Sequence, residues 1–294
     1  VVVFTREVAD DAARRSAGTE VRVLPARIDL RDSQLAAARA ARAGIRAAMG
    51  VGDDDLLIVR VARCASVYLR SVRLGIALAQ RLQGSGRRVC FLHAGYVQEP
   101  EVADEIRRLV ARANDEAGQA IAVSVTDDLR PGTHYAAAAD VCIGAGRTAI
   151  ESVAFGTATL VAWESRYLGL VDDGNIAAMA DSNFQGRQSG AVRSDDEVVA
   201  EMAGALAARQ ADPEVAARVQ AACAAFVRAH YSVQGAADVY EQLYDDRTVT
   251  VSGPASYYGH PQHLARELLR RLPAALTGRG VIGALRRARP GRKI

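Results

Sequence analysis

The sequence predicts an α/β protein in which a parallel β-sheet is covered by helices on both faces. Apolar runs of four to seven residues alternate with longer segments of helical periodicity, and turn residues separate the two. The runs are apolar at consecutive positions, which is typical of strands buried on both faces of a sheet. The 294 residues, half of them hydrophobic, suffice for one large domain or two ordinary ones.

The first fifty residues predict two helices and two strands. An apolar run at residues 1–4 is followed by a helix that starts at Thr5 and ends at Gly18. The segment EVRVLPARIDL predicts a strand that turns at Pro25. Residues 33–49 are rich in Ala and Arg, and they predict a helix capped by Ser33.

Strands and helices then alternate steadily. The strands are predicted at 56–62, 88–94, 120–125, 140–143 and 158–163, and the helices between them at 68–82, 100–114, 134–139 and 148–155. After Val171 a polar, Gly-rich segment predicts a surface loop, and three helices follow at 195–209, 213–230 and 233–245. In sheets of this kind the ligand lies at the carboxyl ends of the strands, so the residues that follow each strand are the candidates for function.

Three arginines follow the strand at 56–62. Arg63 comes directly after it, and Arg70 and Arg73 lie on the next helix. A cluster of guanidinium groups suits a diphosphate, because the donors of each fork pair with phosphate oxygens. Alternatively, Arg70 and Arg73 face solvent on an amphipathic helix.

The segment DVCIGAGRTAIESVAFGTATLV (140–161) reads as strand, glycine turn, helix, glycine and strand. Gly144 and Gly146 allow close approach of a ligand, and the free amides around Arg147 and Thr148 would face a phosphate or a carboxylate. A plain structural turn is the alternative. Glu151 lies one turn into the helix among apolar neighbours, where its carboxylate can accept hydrogen bonds from both hydroxyls of a ribose, unless it is simply solvated.

The cysteines and histidines indicate no metal site. Cys64, Cys90, Cys142 and Cys223 lie far apart, which favours buried free thiols and a reducing compartment. His93 and His134 lie near strand ends, where each either reaches the cleft or is structural. The sequence has neither a signal peptide pattern nor an apolar run long enough to cross a membrane.

The charge is concentrated at the end of the chain. Residues 247–294 contain ten of the 37 Lys and Arg but one of the 34 Asp and Glu, so this tail carries +9 and residues 1–246 carry −6. Leu264, Leu268, Leu269 and Leu272 have helical spacing beside arginines, which predicts either a basic amphipathic helix on an anionic membrane or a solvated disordered tail. Aromatic residues are too few here to favour nucleic-acid binding.

Taken in order, several segments resemble the C-terminal, donor-binding half of retaining GT-B glycosyltransferases of the family-four kind. The resemblance covers about residues 1–246 and is carried by VRVLPARIDL, LLIVRVAR, VCFLHAG, HYAAAADVCIGAGRTAIESVAFGTATLV and YEQLY. It implies a Rossmann-like sheet with C-terminal helices and a basic tail. It also implies that no metal or other cofactor is needed, the nucleotide sugar being a substrate.

The resemblance also implies roles for individual residues. Arg63 would contact the donor diphosphate, with Arg70 in place of the family's lysine, and Glu151 would bind the ribose. The turn containing Gly144, Gly146, Arg147 and Thr148 would hold the phosphates, and Gly95 would line the nucleotide pocket. The chain departs from the family at Ile143, where the first glutamate of an E-x7-E pair falls, and at Ala26, where an asparagine falls.

The implied protein is a cytoplasmic hexosyltransferase-like enzyme that transfers a sugar with retention to a sugar, lipid-linked or small-molecule acceptor, at the inner face of the membrane through its tail. Residues 1–20 would be the remnant of an acceptor domain truncated upstream, 21–195 the nucleotide-sugar-binding domain, 196–246 the C-terminal helices and 247–294 the basic tail. The isolated chain would then bind donor without turnover. The alternatives are a non-catalytic nucleotide-binding or membrane-docking module derived from a transferase half, and a GT-B nucleotide-sugar epimerase.

Overall fold

The computed structural model describes residues 2–3, 5–15, 21–25, 27–83, 86–117, 121–126, 132–163, 166–185 and 193–245. Over these residues the strands are β1 Val2–Val3, β2 Arg22–Val23, β3 Leu56–Val61, β4 Val89–Ala94, β5 Ile121–Thr126, β6 Val141–Gly144, β7 Ala158–Trp163 and β8 Arg166–Leu170. The helices are α1 Arg6–Arg15, α2 Asp32–Ala48, α3 Ser66–Arg81, α4 Pro100–Ala117, α5 Gly132–Ala138, α6 Arg147–Ala154, α7 Ile176–Asp181, α8 Asp195–Ala211, α9 Pro213–Tyr231 and α10 Val233–Asp245. The predicted alternation of strands and helices is confirmed.

Six strands form the central sheet, in the order β5-β4-β3-β6-β7-β8. The first five are parallel, and β8 pairs antiparallel with β7 at one edge. The order reverses between β3 and β6, so the carboxyl ends of these two neighbouring strands mark the crevice where parallel α/β sheets bind ligands. β1 and β2 form a separate two-stranded parallel sheet.

Consecutive residues of β3 enter different parts of the core. Leu56 and Ile58 pack in a cluster with apolar residues of α3, α4 and α8, whereas Leu57 and Val59 pack in a cluster with α2 and α5. A third cluster joins α6, α7 and α9. Burial of both faces explains why the central strands are apolar at every position, and it confirms the predicted parallel sheet flanked by helices.

Two elements were not expected from the sequence. The segment after Val171, predicted to be a surface loop, contains α7, whose Ile176 and Met179 are buried. A helix of six residues is too short to show a period of 3.6. β8 is half-buried along its whole length, and Gly169 has a φ of +109°, so it lacks the apolar run that marks the central strands.

Two smaller predictions concern helix starts. Thr5 precedes α1, and its Oγ1 accepts a hydrogen bond from the amide of Val8 at 3.2 Å, as expected of a cap. The prediction that Ser33 caps α2 is wrong, because Ser33 lies inside the helix and Arg31 is the N-cap residue. The carboxylate of Asp29 binds both the amide and the guanidinium of Arg31, and this local turn sets the start of α2.

Residues Val1–Val239 form one compact unit, and Tyr240–Ile294 form a second, of which the structure describes residues 240–245. Gly18, Ala26 and the basic tail lie outside the described residues. All four cysteines are buried and free, as predicted. In the described part of the chain, no helix has the length and apolar character needed to cross a membrane.

Candidate functional site

Arg63 lies at the carboxyl end of β3 with its side chain exposed. The guanidinium lies over the ring of Tyr68, 5.7 Å from its centroid. Contact with the Tyr96 hydroxyl, and then with Tyr68, raises the pKa of Arg63 above its ordinary value. The two tyrosines therefore hold a permanent positive charge at the sheet edge while leaving it open to solvent.

The first turn of α6 lies beside this strand end. Gly146 is the N-cap residue with φ of +55° and ψ of −129°, a conformation that only glycine adopts without strain. No side chain caps the amides that follow, in the described residues. The Thr148 hydroxyl donates to the Val61 carbonyl at 3.2 Å, which ties α6 to the end of β3. An anion at this turn would meet unpaired N–H groups and the positive end of the helix dipole.

Gly144 and Gly95 are required by close packing. A Cβ on Gly144 would lie 3.1 Å from the amide nitrogen of Ala149, inside the turn that starts α6. A Cβ on Gly95 would lie 1.8 Å from the carbonyl oxygen of Ala62, which is impossible without moving backbone. Gly95 thus lets the chain after β4 pass directly against the chain after β3.

Glu151 is buried on α6, one turn from the open amides. Its Oε1 accepts a hydrogen bond from Nε of Arg147 at 2.6 Å, and the Arg147 side chain is itself 73% exposed. Burial raises the pKa of Glu151 from its ordinary value, and Arg147 offsets only part of this. A Cβ on Gly132 would lie 3.0 Å from Cγ1 of Val61 and 4.0 Å from Oε2 of Glu151. The structure therefore brings Glu151, the end of β3 and the start of α5 together.

Arg70 and Arg73 are ion-paired with neighbouring helices. Arg70 donates to Oδ1 of Asp195, at the start of α8, at 2.7 Å, and to the carbonyl of Arg193 at 2.8 Å. Arg73 contacts Glu105 of α4 at 3.3 Å. Of the three arginines expected to converge here, Arg63 is therefore the one that the described structure leaves without a carboxylate partner.

The N-terminus of α3 is already occupied. Glu99, which follows β4, accepts a hydrogen bond from the amide of Ser66 through Oε2 at 3.1 Å. A carboxylate at this helix start takes the place an anionic ligand would take. The two helices that begin at the centre of this sheet edge thus differ, because α3 is capped by Glu99 and α6 is open.

Sequence reasoning missed a buried polar group beneath this edge. Arg60, the penultimate residue of β3, is 2% exposed, and its guanidinium lies over Tyr68, 5.2 Å from the ring centroid. Tyr68 also meets Trp163 edge-on at 5.3 Å. A single charge inside the apolar run LLIVRVA was the signal that could have identified Arg60.

The two histidines near strand ends have different environments. His93 is fully buried, and burial first and the charge of Arg60 second lower its pKa to about 3, so its ring is neutral at physiological pH. Its Nε2 lies 3.6 Å from Sγ of Cys64. His93 does not reach the cleft, whereas His134 lies half-buried in the first turn of α5.

Two further observations concern other kinds of site. In the part of the chain that the structure describes, no group of three His, Cys, Asp or Glu is close enough to hold a metal ion. A small cavity lies at the far end of α6, lined by Gly156, Thr157, Arg209, Cys223 and their neighbours. It lies away from the strand ends that carry Arg63 and Glu151.

No protein-family model matches the sequence, and no curated protein matches it. The structure is similar to solved structures at low sequence identity. HepE of Anabaena, solved with UDP and glucose, aligns with a TM-score of 0.54 at 15% identity over 83% of this chain and 62% of its own. A glycosyltransferase of Rickettsia africae aligns with a TM-score of 0.56 at 12% identity, over 84% and 62%.

The fold also occurs in a protein with a different named activity. The N-terminal domain of the Candida albicans trehalose-6-phosphate phosphatase aligns with a TM-score of 0.53 at 15% identity, over 82% of this chain and 56% of its own. The chain spans less than two thirds of each of these structures. The likenesses show the fold, a parallel α/β sheet flanked by helices that matches the Rossmann-like domains of these structures, and function has to be argued from the site.

Proposed function

We propose that this chain binds a nucleotide-sugar donor and supplies the donor-binding half of a retaining glycosyltransferase of the family-four kind. The observation that carries the proposal is that an exposed guanidinium, an uncapped helix start and a buried carboxylate all lie at the carboxyl edge of β3 and β6. These groups complement a diphosphate and a ribose. The likeness to HepE, which was solved with UDP and glucose, supports this reading.

The proposed chemistry assigns each group a task. Arg63 and the amides at Arg147 and Thr148 stabilise the negative charge that develops on the leaving diphosphate, while Gly95, Gly144 and Gly146 let the backbone come close. Oε2 of Glu151, the oxygen not bonded to Arg147, accepts hydrogen bonds from the ribose. We propose that no metal or other cofactor takes part, because positive charge and helix amides already face the leaving group.

The proposal also assigns Arg70, in place of the family's lysine, to the donor diphosphate. Its ion pair with Asp195 would have to exchange for the donor diphosphate during binding. Ile143, eight residues before Glu151, is fully buried within β6. The position at which the family pattern has its first glutamate is therefore an apolar, buried part of the sheet here.

Titration calorimetry with UDP-, GDP- and ADP-glucose tests donor binding. We expect one donor to bind with a Kd of roughly micromolar order. Arg63→Ala should weaken it by about 10- to 100-fold, the worth of one or two charge-assisted hydrogen bonds. Arg73→Ala, an exposed arginine of α3 paired with Glu105, is the matched control and should change Kd by less than about twofold. Absence of binding by every donor would overturn the proposal.

A non-catalytic nucleotide-binding module is the second candidate, because this fold also occurs in the N-terminal domain of a phosphatase and is therefore not tied to sugar transfer. Incubating the donor that binds with sugar and lipid-linked acceptors, and following the released nucleoside diphosphate, separates the two. A transferase releases it with a new glycoside of unchanged anomeric configuration. A module binds without turnover, and an epimerase changes the sugar's stereochemistry.

A further inference from the structure

Two arginines of this domain are buried at opposite edges of the central sheet. Arg46 is 4% exposed and lies at the amino edge, where it donates to Oδ2 of Asp140 at 3.0 Å and to the carbonyl of Gly52 at 2.6 Å. Arg60 is 2% exposed and lies at the carboxyl edge. No carboxylate of the described residues pairs with Arg60, so its charge is buried without a partner of opposite sign.

The hydrogen bonds of Arg60 do not explain its presence. Nε donates to Oγ of Ser71 at 2.8 Å, and Nη1 donates to the carbonyl of Val61 at 2.7 Å. Both acceptors have a second interaction, because the Ser71 hydroxyl donates to the carbonyl of Tyr68 and the Val61 carbonyl accepts from Thr148. Removing Arg60 would therefore leave neither group unsatisfied.

A buried, unpaired charge destabilises the folded protein. The groups around Arg60 do not neutralise it. His93, opposite Arg60 in the sheet register, is fully buried and neutral, and its Nδ1 has no hydrogen-bond partner among the described residues. Tyr68 supplies an aromatic face, which compensates a cation only in part. Destabilising features of this kind persist at functional sites, where a ligand completes them.

The charge lies directly beneath the open turn of α6. Nη1 of Arg60 and Oγ1 of Thr148 donate to the same oxygen, that of Val61. The two donor atoms therefore lie within about 6 Å of each other, the sum of those two hydrogen-bond lengths. At this depth water screens the charge weakly, so an anion bound at α6 would be attracted by Arg60 without touching it.

We propose that Arg60 is a specificity-determining residue whose buried charge makes this site select ligands carrying a diphosphate over uncharged ligands. The inference rests on the proposed donor site and deepens it. Arg60 acts through the field at the α6 turn, whereas Arg63 is the group that contacts the ligand. The protein keeps an unpaired guanidinium in its core because the ligand supplies the missing negative charge.

Binding of inorganic pyrophosphate, UDP and uridine to the full chain tests this. Trp163, the only tryptophan of the chain, touches Tyr68 and gives a fluorescence signal beside the site. Arg60→Met should weaken the binding of pyrophosphate and UDP by at least about 10-fold, and it should change the affinity for uridine by less than about twofold. Arg60→Lys, which keeps the charge, should recover most of the loss. Arg46→Met, the matched control at the other edge, should leave all three affinities unchanged.

Thermal unfolding without ligand gives a second, independent readout. Arg60→Met should raise the unfolding midpoint by about 2–4 °C, because it removes an unpaired buried charge. Arg46→Met should lower the midpoint, because it removes the largely buried partner of Asp140 together with the hydrogen bond that Arg46 donates to the carbonyl of Gly52. A structural role for Arg60 predicts a loss of stability like that of Arg46→Met.

The results that would overturn the inference are equal pyrophosphate affinity in wild type and Arg60→Met, or a lowered midpoint in Arg60→Met. If Arg60→Met does not fold, the pyrophosphate affinities of Arg60→Gln and Arg60→Lys are compared instead. Equal affinities of these two variants would exclude a role for the charge. Pyrophosphate binding that depends on Arg60, without binding of any nucleotide sugar, refutes the proposed function alone. Donor binding that is insensitive to Arg60→Met refutes this inference alone, and binding of neither probe refutes both.

Discussion

Glu151 is a carboxylate placed where ionisation is costly. Burial raises its pKa above the ordinary 4.5, although Arg147 lies 2.6 Å away. Between the unfolded pKa and the raised folded pKa, the folded state binds more protons than the unfolded state, so the contribution of Glu151 to stability falls as pH rises through this window. Above this window Glu151 therefore makes folding less favourable than a side chain that cannot ionise would.

We expect Glu151→Gln to be more stable than wild type at pH 7, with a difference that shrinks as pH falls towards 4.5. The same change should weaken nucleotide binding by about 10-fold, because an amide accepts ribose hydrogen bonds less strongly than a carboxylate. Urea unfolding at several pH values and titration with the donor measure the two effects. A stability difference that does not depend on pH would contradict the prediction.

Glu105 provides a contrast of opposite sign. Hydrogen bonds from Arg108 first and Arg73 second lower its pKa, so its contribution to stability is present above the ordinary value of 4.5 and is lost as pH falls through the lowered pKa. Glu105→Gln should therefore lose stability at pH 7, by a small amount because the pair is exposed to solvent. If the stabilities of Glu151→Gln and Glu105→Gln changed with pH in the same direction, burial would not be the cause of the raised pKa of Glu151.

Individual residues were predictable where the next neighbour in sequence decides their position. Arg63 follows β3, and the sequence sufficed to place it at the sheet edge. Arg70 could not be placed in the same way, because its partner Asp195 is 125 residues distant in sequence. Arg60 was not predicted as a site residue, because it lies within the apolar run of β3, and such a run indicates a core strand.

The loops after β3 and β4 pack against each other with no room for a side chain at Gly95. Gly95→Ala would place Cβ 1.8 Å from the backbone oxygen of Ala62, so the two loops must separate. We expect a loss of about 3 kcal/mol in urea unfolding, as in severe overpacking. Donor binding should fall with it, because Arg63 follows Ala62 directly.

Gly44 is the control for this substitution. It lies in the interior of α2 with no atom within 4 Å of an added Cβ. Gly44→Ala should stabilise the protein by roughly 0.5–1 kcal/mol, since alanine loses less backbone entropy in a helix. If both glycine variants changed stability alike, close packing would not be the reason for Gly95.

The elements themselves followed from the sequence where they are long or fully buried. The five parallel strands and the helices between them lie within a few residues of their predicted positions. A strand that is buried on both faces has apolar side chains at consecutive positions, and this run is visible in the sequence. β8 and α7 carry no such signal, being a half-buried edge strand and a helix of six residues. Nor could the sequence show that Glu99 caps α3, because this contact links two loops 33 residues apart.

For the molecule as a whole, the pattern of strands and helices predicted the sheet, and the sheet edge predicted the region of the site. The pattern could not predict which polar groups at that edge are already satisfied. Asp195 occupies Arg70 and Glu99 occupies the start of α3, whereas Arg63 and the start of α6 remain available. These pairings depend on tertiary contacts. The sequence therefore predicted more polar groups available to a ligand than the structure leaves available.

The uneven distribution of charge along the chain predicts attraction to an anionic membrane. Residues 247–294, which lie outside the described residues, carry +9. We expect the chain to sediment with vesicles of phosphatidylcholine and phosphatidylserine but not with phosphatidylcholine alone. Binding should be lost as salt rises from about 0.1 M to about 1 M, where the Debye length falls from about 10 Å to about 3 Å.

Charge reversal within the tail separates this attraction from that of the folded domain. Arg270→Glu with Arg271→Glu should weaken vesicle binding by at least about 10-fold, since each basic residue near an anionic surface contributes about 1 kcal/mol. Arg107→Glu with Arg108→Glu makes the same change of net charge on the exposed side of α4 and should leave vesicle binding nearly unchanged. Equal losses from both pairs would mean that net charge governs vesicle binding, and persistence of binding in the tail variant would assign it to the folded domain.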